Sequence, residues 1–248
     1  MKVLGVIPAR YSSTRFPGKP LVVIEGKTMI QRVYEQAMAC RGLSDVIVAT
    51  DDRSIEKHVL MIGGKSLMTS VHHTSGTERC SEVYRKLSQN GQDYDVIVNI
   101  QGDEPYIHPG QIEQVISCFS TRKTMIASLM KKITSGEELK NPNVVKVLTD
   151  IRGKALYFSR AAIPYVRDKG KGTLPEGYSF FKHIGIYGYR PDILMKIVKL
   201  PPSRLEIAES LEQLRWLENG YEVILKETTF ESLSIDTPAD LLKLTNRE

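Results

Sequence analysis

The feature that most constrains the fold is an alternation, in the first half of the chain, between short apolar runs and segments with helical spacing. Apolar runs lie at residues 3–8, 45–50, 66–70 and 96–100. Segments whose apolar residues recur at helical spacing follow them, at residues 29–40, 54–61, 77–87 and 109–119. Runs of this kind flanked by helices are typical of a parallel sheet covered on both faces. The pattern predicts a doubly wound α/β fold whose ligand site lies beyond the carboxyl ends of the strands.

The second half predicts further strands and a smaller subsidiary lobe. Strands are predicted at residues 125–130, 144–148, 155–159, 183–189, 221–226 and 233–235. Helices are predicted at residues 191–198, at 206–218 and from Asp236 onward, and residues 171–180 are predicted to form a loop. The turn at residues 152–154 indicates a hairpin. In the strand at 183–189, alternation places Ile184 and Ile186 on one face, opposite His183, Tyr187 and Tyr189.

Composition excludes several classes of protein. The chain has 248 residues, and its net charge of +5 is too small to indicate nucleic-acid binding but fits an anionic small substrate. No apolar stretch approaches the roughly 20 residues that cross a bilayer. The first strand follows Met1-Lys2 directly, so we expect no signal peptide. The three cysteines form no CxxC pair, which favours free thiols in a reducing cytoplasm.

The loop after the first strand, at residues 9–19, combines cations, hydroxyls and a glycine. It contains Arg10, Arg15 and Lys19, the hydroxyls of residues 12–14, and Gly18. Guanidinium, ammonium, hydroxyl and backbone N–H groups are the partners that a polyphosphate requires. The loop matches neither a Walker A sequence nor a GxGxxG fingerprint. It is therefore either an unfamiliar phosphate loop or a basic surface loop.

Two aspartates are candidate metal ligands. Asp103 follows the fourth strand, where a ligand is expected, and Mg²⁺ prefers one or two carboxylates beside phosphate oxygens. The alternative is a turn aspartate that caps the next helix. Asp236, before Thr237-Pro238, is locally a good helix N-cap. It becomes a second metal ligand only if the last strand returns beside the fourth.

The segments after strands two and three would face the same pocket. Asp51 and Asp52 are expected to be turn and N-cap residues, although either could contact a ribose. In the stretch at residues 72–79, Gly76 permits close backbone approach and Arg79 is a cation in a first helical turn, where cations are unfavourable. The paired histidines at residues 72–73 lack a third ligand with suitable spacing, and we interpret them as surface residues.

Several motifs, in order along nearly the whole chain, resemble those of the 3-deoxy-manno-octulosonate (Kdo) cytidylyltransferase family. The matching stretches are residues 7–11 (Ile-Pro-Ala-Arg-Tyr), 15–21 (Arg-Phe-Pro-Gly-Lys-Pro-Leu), 49–52 (Ala-Thr-Asp-Asp), 75–79 (Ser-Gly-Thr-Glu-Arg), 99–105 (Asn-Ile-Gln-Gly-Asp-Glu-Pro), 157–160 (Tyr-Phe-Ser-Arg), 183–187 (His-Ile-Gly-Ile-Tyr), 211–215 (Leu-Glu-Gln-Leu-Arg) and 234–238 (Ser-Ile-Asp-Thr-Pro). One departure is Glu78, where the family usually has Asp.

The resemblance implies a Rossmann-like nucleotide-diphospho-sugar transferase fold, with a mostly parallel central sheet, helices on both faces and a subsidiary lobe. It also implies a cytoplasmic homodimer that transfers CMP from CTP to the anomeric hydroxyl of Kdo for lipopolysaccharide biosynthesis, with Mg²⁺ as cofactor. We expect a single domain at residues 1–248, with a nucleotide-binding half at 1–121. The sugar-binding and dimerisation half would be residues 122–248.

The resemblance also implies the site residues. The expected catalytic residues are Lys19, Arg10, Asp103 and Asp236, of which Asp103 and Asp236 would hold the metal. The expected nucleotide-binding residues are Ala9, Arg10, Ser13, Arg15, Lys19, Ser75, Gly76 and Arg79. The expected sugar-binding residues are Gln101, Arg160, His183, Tyr187, Glu212 and Gln213. Without the resemblance, these last residues would read as strand packing and solvated helix positions.

Two other functions remain open. The acceptor could be another 2-keto sugar acid, such as sialic acid or 8-amino-Kdo, because the phosphate and metal residues would look the same. The chain could also be a non-catalytic nucleotide-binding protein that keeps the fold. The presence of Lys19, Asp103 and Asp236 argues against this second reading, because loss of a metal carboxylate would be its expected mark.

Overall fold

A computed structural model of the chain describes residues 1–12, 16–167, 174, 177–231, 234–235, 237–238 and 240–241. The strands are β1 (Val3–Ala9), β2 (Val23–Ile24), β3 (Lys27–Thr28), β4 (Asp45–Thr50), β5 (Ser66–Met68), β6 (Val96–Asn99), β7 (Ile126–Lys132), β8 (Lys146–Thr149), β9 (Ala155–Ser159), β10 (Phe181–Tyr189) and β11 (Val223–Glu227). The helices are α1 (Met29–Met38), α2 (Arg53–Met61), α3 (Gly76–Gln89), α4 (Pro109–Ser117), α5 (Gly136–Lys140), α6 (Pro191–Ile197), α7 (Arg204–Glu209) and α8 (Glu212–Glu218).

The central sheet is mostly parallel, as predicted. Its strand order is β11-β7-β10-β6-β1-β4-β5, and β8 and β9 extend it beside β10. Strand β1 pairs in parallel with β4 and β6, and β4 with β5, whereas β10 runs antiparallel to both β6 and β7. The antiparallel pairing of β8 with β9 confirms the hairpin predicted around Gly153.

Helices cover both faces of the sheet, which explains the unbroken apolar runs. On β1, Ile7 faces a core built with α1, α2 and α4, whereas Leu4 and Val6 face a second core built with α3, α6 and α8. Ile184 and Ile186 of β10 belong to the first core, and Tyr187 and Tyr189 to the second. The predicted division of this strand into two faces is confirmed.

Strand β10 contains an irregularity that the sequence did not predict. Ile184 pairs with Leu129, and Tyr187 pairs with Ser128, the next residue on β7. Two residues of β10, Gly185 and Ile186, therefore bulge out of the register. Bulges bend a strand and redirect its side chains, and they are common beside functional sites.

The single helix predicted at residues 206–218 is wrong, because the structure divides it into α7 and α8. Ser210 adopts a left-handed conformation with φ of 51°, and Leu211 is extended. Leu211 is buried, and Glu212 at the start of α8 accepts hydrogen bonds from the first turn of α3. The interruption is therefore set by tertiary contacts that helical periodicity cannot show.

Two predicted segments lie partly or largely outside the described residues. They are the loop at residues 171–180 and the strand at 233–235 with the helix after it. Ile235 is described and fully buried, and its N–H donates to the carbonyl of Asp103 at 3.0 Å. Among the helices of the described part of the chain, none is long and apolar enough to cross a bilayer. The three cysteines are free thiols.

Close packing of β10 on α4 depends on Gly188, and Gly188→Ala tests it. A Cβ there would lie 2.6 Å from Cε2 of Phe119 and 2.8 Å from Cγ1 of Val115, both buried side chains. We expect the substitution to lower the free energy of unfolding by about 1–3 kcal/mol in urea titrations, because the core is overpacked. Gly185→Ala is the control, because its Cβ would meet no atom closer than 4.0 Å. Equal stabilities of the two variants would contradict the packing argument.

Candidate active site

A cleft of about 240 Å³ opens at the carboxyl ends of β1 and β6, where the fold predicts a ligand. Eight of the predicted site residues line it: Ala9, Arg10, Lys19, Ser75, Gly76, Arg79, Gln101 and Asp103. The other lining residues are Pro8, Pro20, His73, Thr74 and Gly102. The predicted residues Ser13, Arg15 and Asp236 lie outside the described residues. Of the other residues predicted to bind the sugar, Arg160 directly follows β9, His183 and Tyr187 lie on β10, and Glu212 and Gln213 lie on α8.

Lys19 joins three segments of the chain at the floor of the cleft. The loop after β1 turns at Gly18, which has a φ of 70° and donates its N–H to the carbonyl of Tyr11 at 3.0 Å. This turn brings the Lys19 ammonium to 2.8 Å from Oδ2 of Asp103 and 3.0 Å from the carbonyl oxygen of Ile235. The residue before Asp236 therefore lies beside Asp103.

The position of Asp103 depends on the glycine before it. A Cβ on Gly102 would lie 2.5 Å from the carbonyl oxygen of Pro8, a distance that backbone cannot accommodate. Glycine therefore lets the ends of β1 and β6 approach closely. The Asp103 side chain is 29% exposed on the cleft, so it is accessible to a cation.

The described residues contain no group of three or more His, Cys, Asp or Glu side chains that could by themselves form a metal site. Mg²⁺ beside a polyphosphate does not need one, because phosphate oxygens and water complete its octahedral shell. Asp103, exposed on the cleft and adjacent to the chain segment that leads to Asp236, fits this type of site. It does not fit a zinc site built from three or four protein ligands.

The first turn of α3 forms the opposite wall. Ser75 is the N-cap of this helix and forms a capping box with Glu78, the residue at which this chain departs from the family pattern. Glu78 also accepts a hydrogen bond from the N–H of Thr74 at 2.6 Å. Gly76 packs against the Asn99 amide and would place a Cβ 3.2 Å from its Nδ2. The N-terminus of α3, where Ser75 and Gly76 line the cleft, is the positive end of the helix dipole, an arrangement that favours anions.

Arg79 is fixed within the protein and does not extend freely into the cleft. Its guanidinium is 4% exposed and forms an ion pair with Asp51. It also donates to Oγ1 of Thr69 at 2.7 Å and to the carbonyl of Ser70 at 3.2 Å. Arg79 therefore ties α3 to the ends of β4 and β5. Asp52 caps α2, as expected for one of the two aspartates.

The interpretation of both histidines as surface residues is right for His72, which is exposed, and wrong for His73. His73 lines the cleft, and its Nε2 lies 2.5 Å from Oε2 of Glu82. Burial would raise the pKa of Glu82, but hydrogen bonds from Lys86, the Ser70 N–H and His73 outweigh it and lower the pKa to about 2. The sequence signal that could have indicated this pair is Glu82, nine residues after His73. It lies within α3 and belongs to none of the motifs considered.

Glu212, predicted to bind the sugar, joins α8 to the first turn of α3, where the predicted nucleotide-binding residues Ser75 and Gly76 lie. It accepts hydrogen bonds from Oγ of Ser75 at 3.1 Å and from Oγ1 of Thr77 at 2.9 Å. Burial raises the pKa of Glu212 above its usual value, and these hydroxyls act against that shift. Gln213 is buried beside it. Burial and the nearby Glu212 carboxylate raise the pKa of Tyr187 well above its usual value.

The Arg160 guanidinium donates its hydrogen bonds to carbonyl oxygens, and the Glu209 carboxylate lies nearby, accepting from the backbone N–H of Arg160 at 2.9 Å. Its guanidinium donates to the carbonyls of Glu209 at 2.7 Å, Pro142 at 3.1 Å and Ser210 at 3.4 Å. Carbonyl partners do not neutralise a cation as an acidic side chain does. Among the described residues, no carboxylate accepts a hydrogen bond from the Arg160 guanidinium itself, which could therefore still pair with a carboxylate of a ligand.

His183 is a neutral imidazole. Burial lowers its pKa to about 3. Its ring makes an edge contact with Phe158 and a tilted contact with Tyr187, at centroid distances of 5.1 and 5.2 Å. Its Nε2 lies 2.9 Å from the hydroxyl oxygen of Ser128, a residue that the sequence analysis did not select.

Comparison with known proteins agrees with this geometry. The cytidylyltransferase family model matches residues 4–228. The 3-deoxy-manno-octulosonate cytidylyltransferase of Cytophaga hutchinsonii is 52% identical over 247 residues, which are 99% of this chain and 97% of that protein. A solved CMP:2-keto-3-deoxy-manno-octonic acid synthetase, complexed with CTP, is 43% identical with a TM-score of 0.90 and coverage of 98% of this chain and 97% of its own.

A more distant structure shares the fold alone. A putative glucose-1-phosphate thymidylyltransferase from Bacillus anthracis has a TM-score of 0.63 at 16% identity, with 97% of this chain and 93% of its own covered. The mostly parallel sheet and the cleft at its carboxyl edge are those of a nucleotidyltransferase of Rossmann-like fold. Within that class, the chain belongs to the cytidylyltransferase family, and specifically to the 3-deoxy-manno-octulosonate cytidylyltransferases.

The neutral state of His183 predicts a pH dependence of stability. Its pKa is about 3 in the folded chain and 6.5 when unperturbed, so only the unfolded chain takes up this proton between those values. The free energy of unfolding should therefore fall as the pH falls from 6.5, by up to about 1.4 kcal/mol per pH unit from this group. Urea titrations from pH 6 to 4.5 should show a smaller slope for His183→Gln than for the wild type. His72→Gln, at an exposed position, should keep the wild-type slope. Parallel curves for all three proteins would contradict this assignment.

Proposed function

We propose that this chain transfers CMP from CTP to the anomeric hydroxyl of Kdo and releases pyrophosphate. The observation that carries the proposal is the convergence of Arg10, Lys19 and Asp103 on one cleft. It is supported by the 52% identity to a relative named for this activity. A cleft with cations on one wall and helix N–H groups on the other suits a nucleoside triphosphate.

The cations and N–H groups would align the triphosphate for in-line attack. Arg10 and Lys19, with Ser13 and Arg15, would bind the phosphates, while Ala9 and the first turn of α3 would surround the nucleoside. Charge accumulates on the α-phosphate and on the departing pyrophosphate, so these groups act mainly by positioning and electrostatic stabilisation. Arg79, fixed by Asp51, would act by keeping the first turn of α3 in place.

Asp103 and Asp236 would hold Mg²⁺ beside the phosphates. When bound, the ion would lower the pKa of a coordinated hydroxyl and neutralise developing charge. Lys19, paired with Asp103 at 2.8 Å, would hold this carboxylate in position on the cleft. In the reaction, the anomeric oxygen of Kdo forms a bond to the α-phosphorus, the bond to pyrophosphate breaks, and the hydroxyl proton passes to solvent.

The acceptor would bind on the side of β9, β10 and α8. Arg160 would meet the Kdo carboxylate, since the hydrogen bonds of its guanidinium within the described residues go to carbonyl oxygens and none goes to a carboxylate. Gln101, His183, Tyr187, Glu212 and Gln213 would surround the hydroxyls. Glu212 bonds to Ser75 and Thr77, so acceptor and nucleotide walls would be held in one rigid relation.

The proposal extends to organisation and location. Residues 1–121 would supply most nucleotide contacts, and residues 122–248 most sugar and dimer contacts. The protein would act as a homodimer in the cytoplasm, where CTP is available. These features rest on the family membership and on the three free thiols.

The deciding experiment measures pyrophosphate release from CTP and Mg²⁺, with and without Kdo, and identifies the product by mass. Release that requires Kdo, with CMP-Kdo as product, is the expected result. Release only with sialic acid or 8-amino-Kdo would keep the phosphate chemistry and overturn the acceptor. No release with any acceptor would favour a non-catalytic nucleotide-binding protein.

The metal assignment predicts the effect of two conservative variants. Asp103→Asn and Asp236→Asn should each lower kcat by at least about 100-fold, because each removes one of the two carboxylates that hold the ion. Initial rates should be compared across a Mg²⁺ titration. Asp192→Asn is the control, because Asp192 is exposed on α6 and its one ion pair with a described residue is with Lys196, at 3.4 Å. Full Mg²⁺-dependent turnover by Asp236→Asn would show that the two aspartates do not share a metal.

A further inference from the structure

The bulge in β10 is held by side chains from both sides. Gly185 and Ile186 lie outside the regular pairing, so their carbonyls lack part of the usual ladder. Gln101, on the cleft, donates from its Nε2 to the carbonyl of Gly185 at 2.8 Å. Ser128 of β7 reaches the carbonyls of Ile184 at 3.0 Å and Ile186 at 2.8 Å. The bulge thus connects the nucleotide cleft to the fully buried hydroxyl of Ser128.

That hydroxyl has three neighbours and only one proton. Two neighbours are carbonyl oxygens, which accept hydrogen bonds and never donate them. The third is Nε2 of His183, at 2.9 Å. The hydroxyl proton must go to the carbonyls, either to one of them or shared between the two. If it went to Nε2 of His183 instead, the lone pairs of both carbonyl oxygens would face those of Oγ. Oγ is then the acceptor, and Nε2 of His183 must carry a proton.

The imidazole has only one proton to place. Because burial lowers the pKa of His183 to about 3, the ring is neutral near pH 7. With the proton on Nε2, Nδ1 is a bare acceptor. Among the described residues, none donates a hydrogen bond to Nδ1. His183 is half-buried as a whole residue, and Nδ1 is not among the fully buried side-chain atoms without a partner in the described residues, so it remains available to a donor on a ligand.

We infer that Ser128 is a positioning residue for the acceptor sugar: it holds His183 as the Nε2–H tautomer, so that Nδ1 accepts a hydrogen bond from a sugar hydroxyl. This inference rests on the proposed function for the identity of the sugar. The tautomer itself follows from hydrogen-bond geometry and does not depend on any ligand. Nδ1 without a proton favours a hydroxyl group of the sugar at this position, because a hydroxyl can donate a hydrogen bond to it. A keto oxygen, which cannot donate, is disfavoured there.

The first experiment determines the tautomer without substrate. Long-range ¹H–¹⁵N correlation spectra of histidine-labelled protein, assigned with His183→Gln, distinguish a proton on Nε2 from one on Nδ1. The wild type should show the Nε2–H form throughout pH 5 to 8. Ser128→Ala should shift the ring toward a mixture of tautomers, and Ser128→Thr, which keeps the hydroxyl, should restore the wild-type spectrum. A wild-type ring protonated on Nδ1 would overturn the inference.

Steady-state kinetics then separate positioning from general damage. Ser128→Ala should raise KM for Kdo by about 5- to 10-fold, the loss expected for one hydrogen bond, and leave KM for CTP within about 2-fold. Ser66→Ala is the matched control: it removes a strand hydroxyl bonded to the carbonyl of Val48, away from the cleft. Equal changes in both KM values would instead indicate a structural role for Ser128.

The two proposals can fail separately. If the wild type uses another acceptor, the tautomer result stands and the KM comparison is repeated with that acceptor. If Kdo is the acceptor and Ser128→Ala binds it as the wild type does, only the positioning role falls. If Ser128→Ala does not fold, the wild-type spectrum and Ser128→Thr still decide the tautomer.

Discussion

Parallel pairing of β1 with β6 on one side and β4 on the other is the constraint on which the rest of the structure depends. The register runs from Val3 beside Val96 to Ala9 beside Thr50. Because the three strands run in one direction, the segments that follow them leave from the same edge of the sheet. Close approach at that edge requires Gly102, since a Cβ there would press on the carbonyl oxygen of Pro8. Without this approach, Asp103 would not reach Lys19.

A second layer of polar contacts converts that edge into a site with two sides. On the proposed nucleotide side, Lys19 holds Asp103 and the segment that leads to Asp236. On the proposed acceptor side, Glu212 holds α8 to the first turn of α3. The N-cap Ser75 therefore belongs to both sides, which fixes their relative position. A carboxyl group that loses hydration on packing, as Glu212 does, is tolerated when hydrogen bonds such as those from Ser75 and Thr77 compensate for that loss.

Local sequence patterns predicted most of the secondary structure. The strand at residues 45–50, the hairpin around Gly153 and the two faces of β10 follow from side-chain alternation and turn chemistry. These features depend on residues close together in the chain, and so does the N-cap role of Asp52. The division of helix 206–218 was missed because its cause is the contact of Glu212 with α3, which lies more than a hundred residues away.

The site shows the same division between local and distant causes. Motif resemblance selected Arg10, Lys19 and Asp103, and the structure brings them to one cleft. It passed over His73 and Ser128, since their roles come from Glu82 and from the carbonyls of a bulge in another strand. A lone histidine or serine carries no sign of such partners in the sequence.

By itself, the sequence determined the order and type of most elements, the family, and the cations and carboxylates available for phosphate chemistry. Those properties reside in local periodicity and in side-chain chemistry. Only the tertiary structure decided that Arg79 is fixed by Asp51, that β10 bulges at Gly185, and which nitrogen of His183 carries the proton. Each of these depends on hydrogen bonds between distant segments, and such bonds exist only after packing has brought donors and acceptors within about 3 Å of one another.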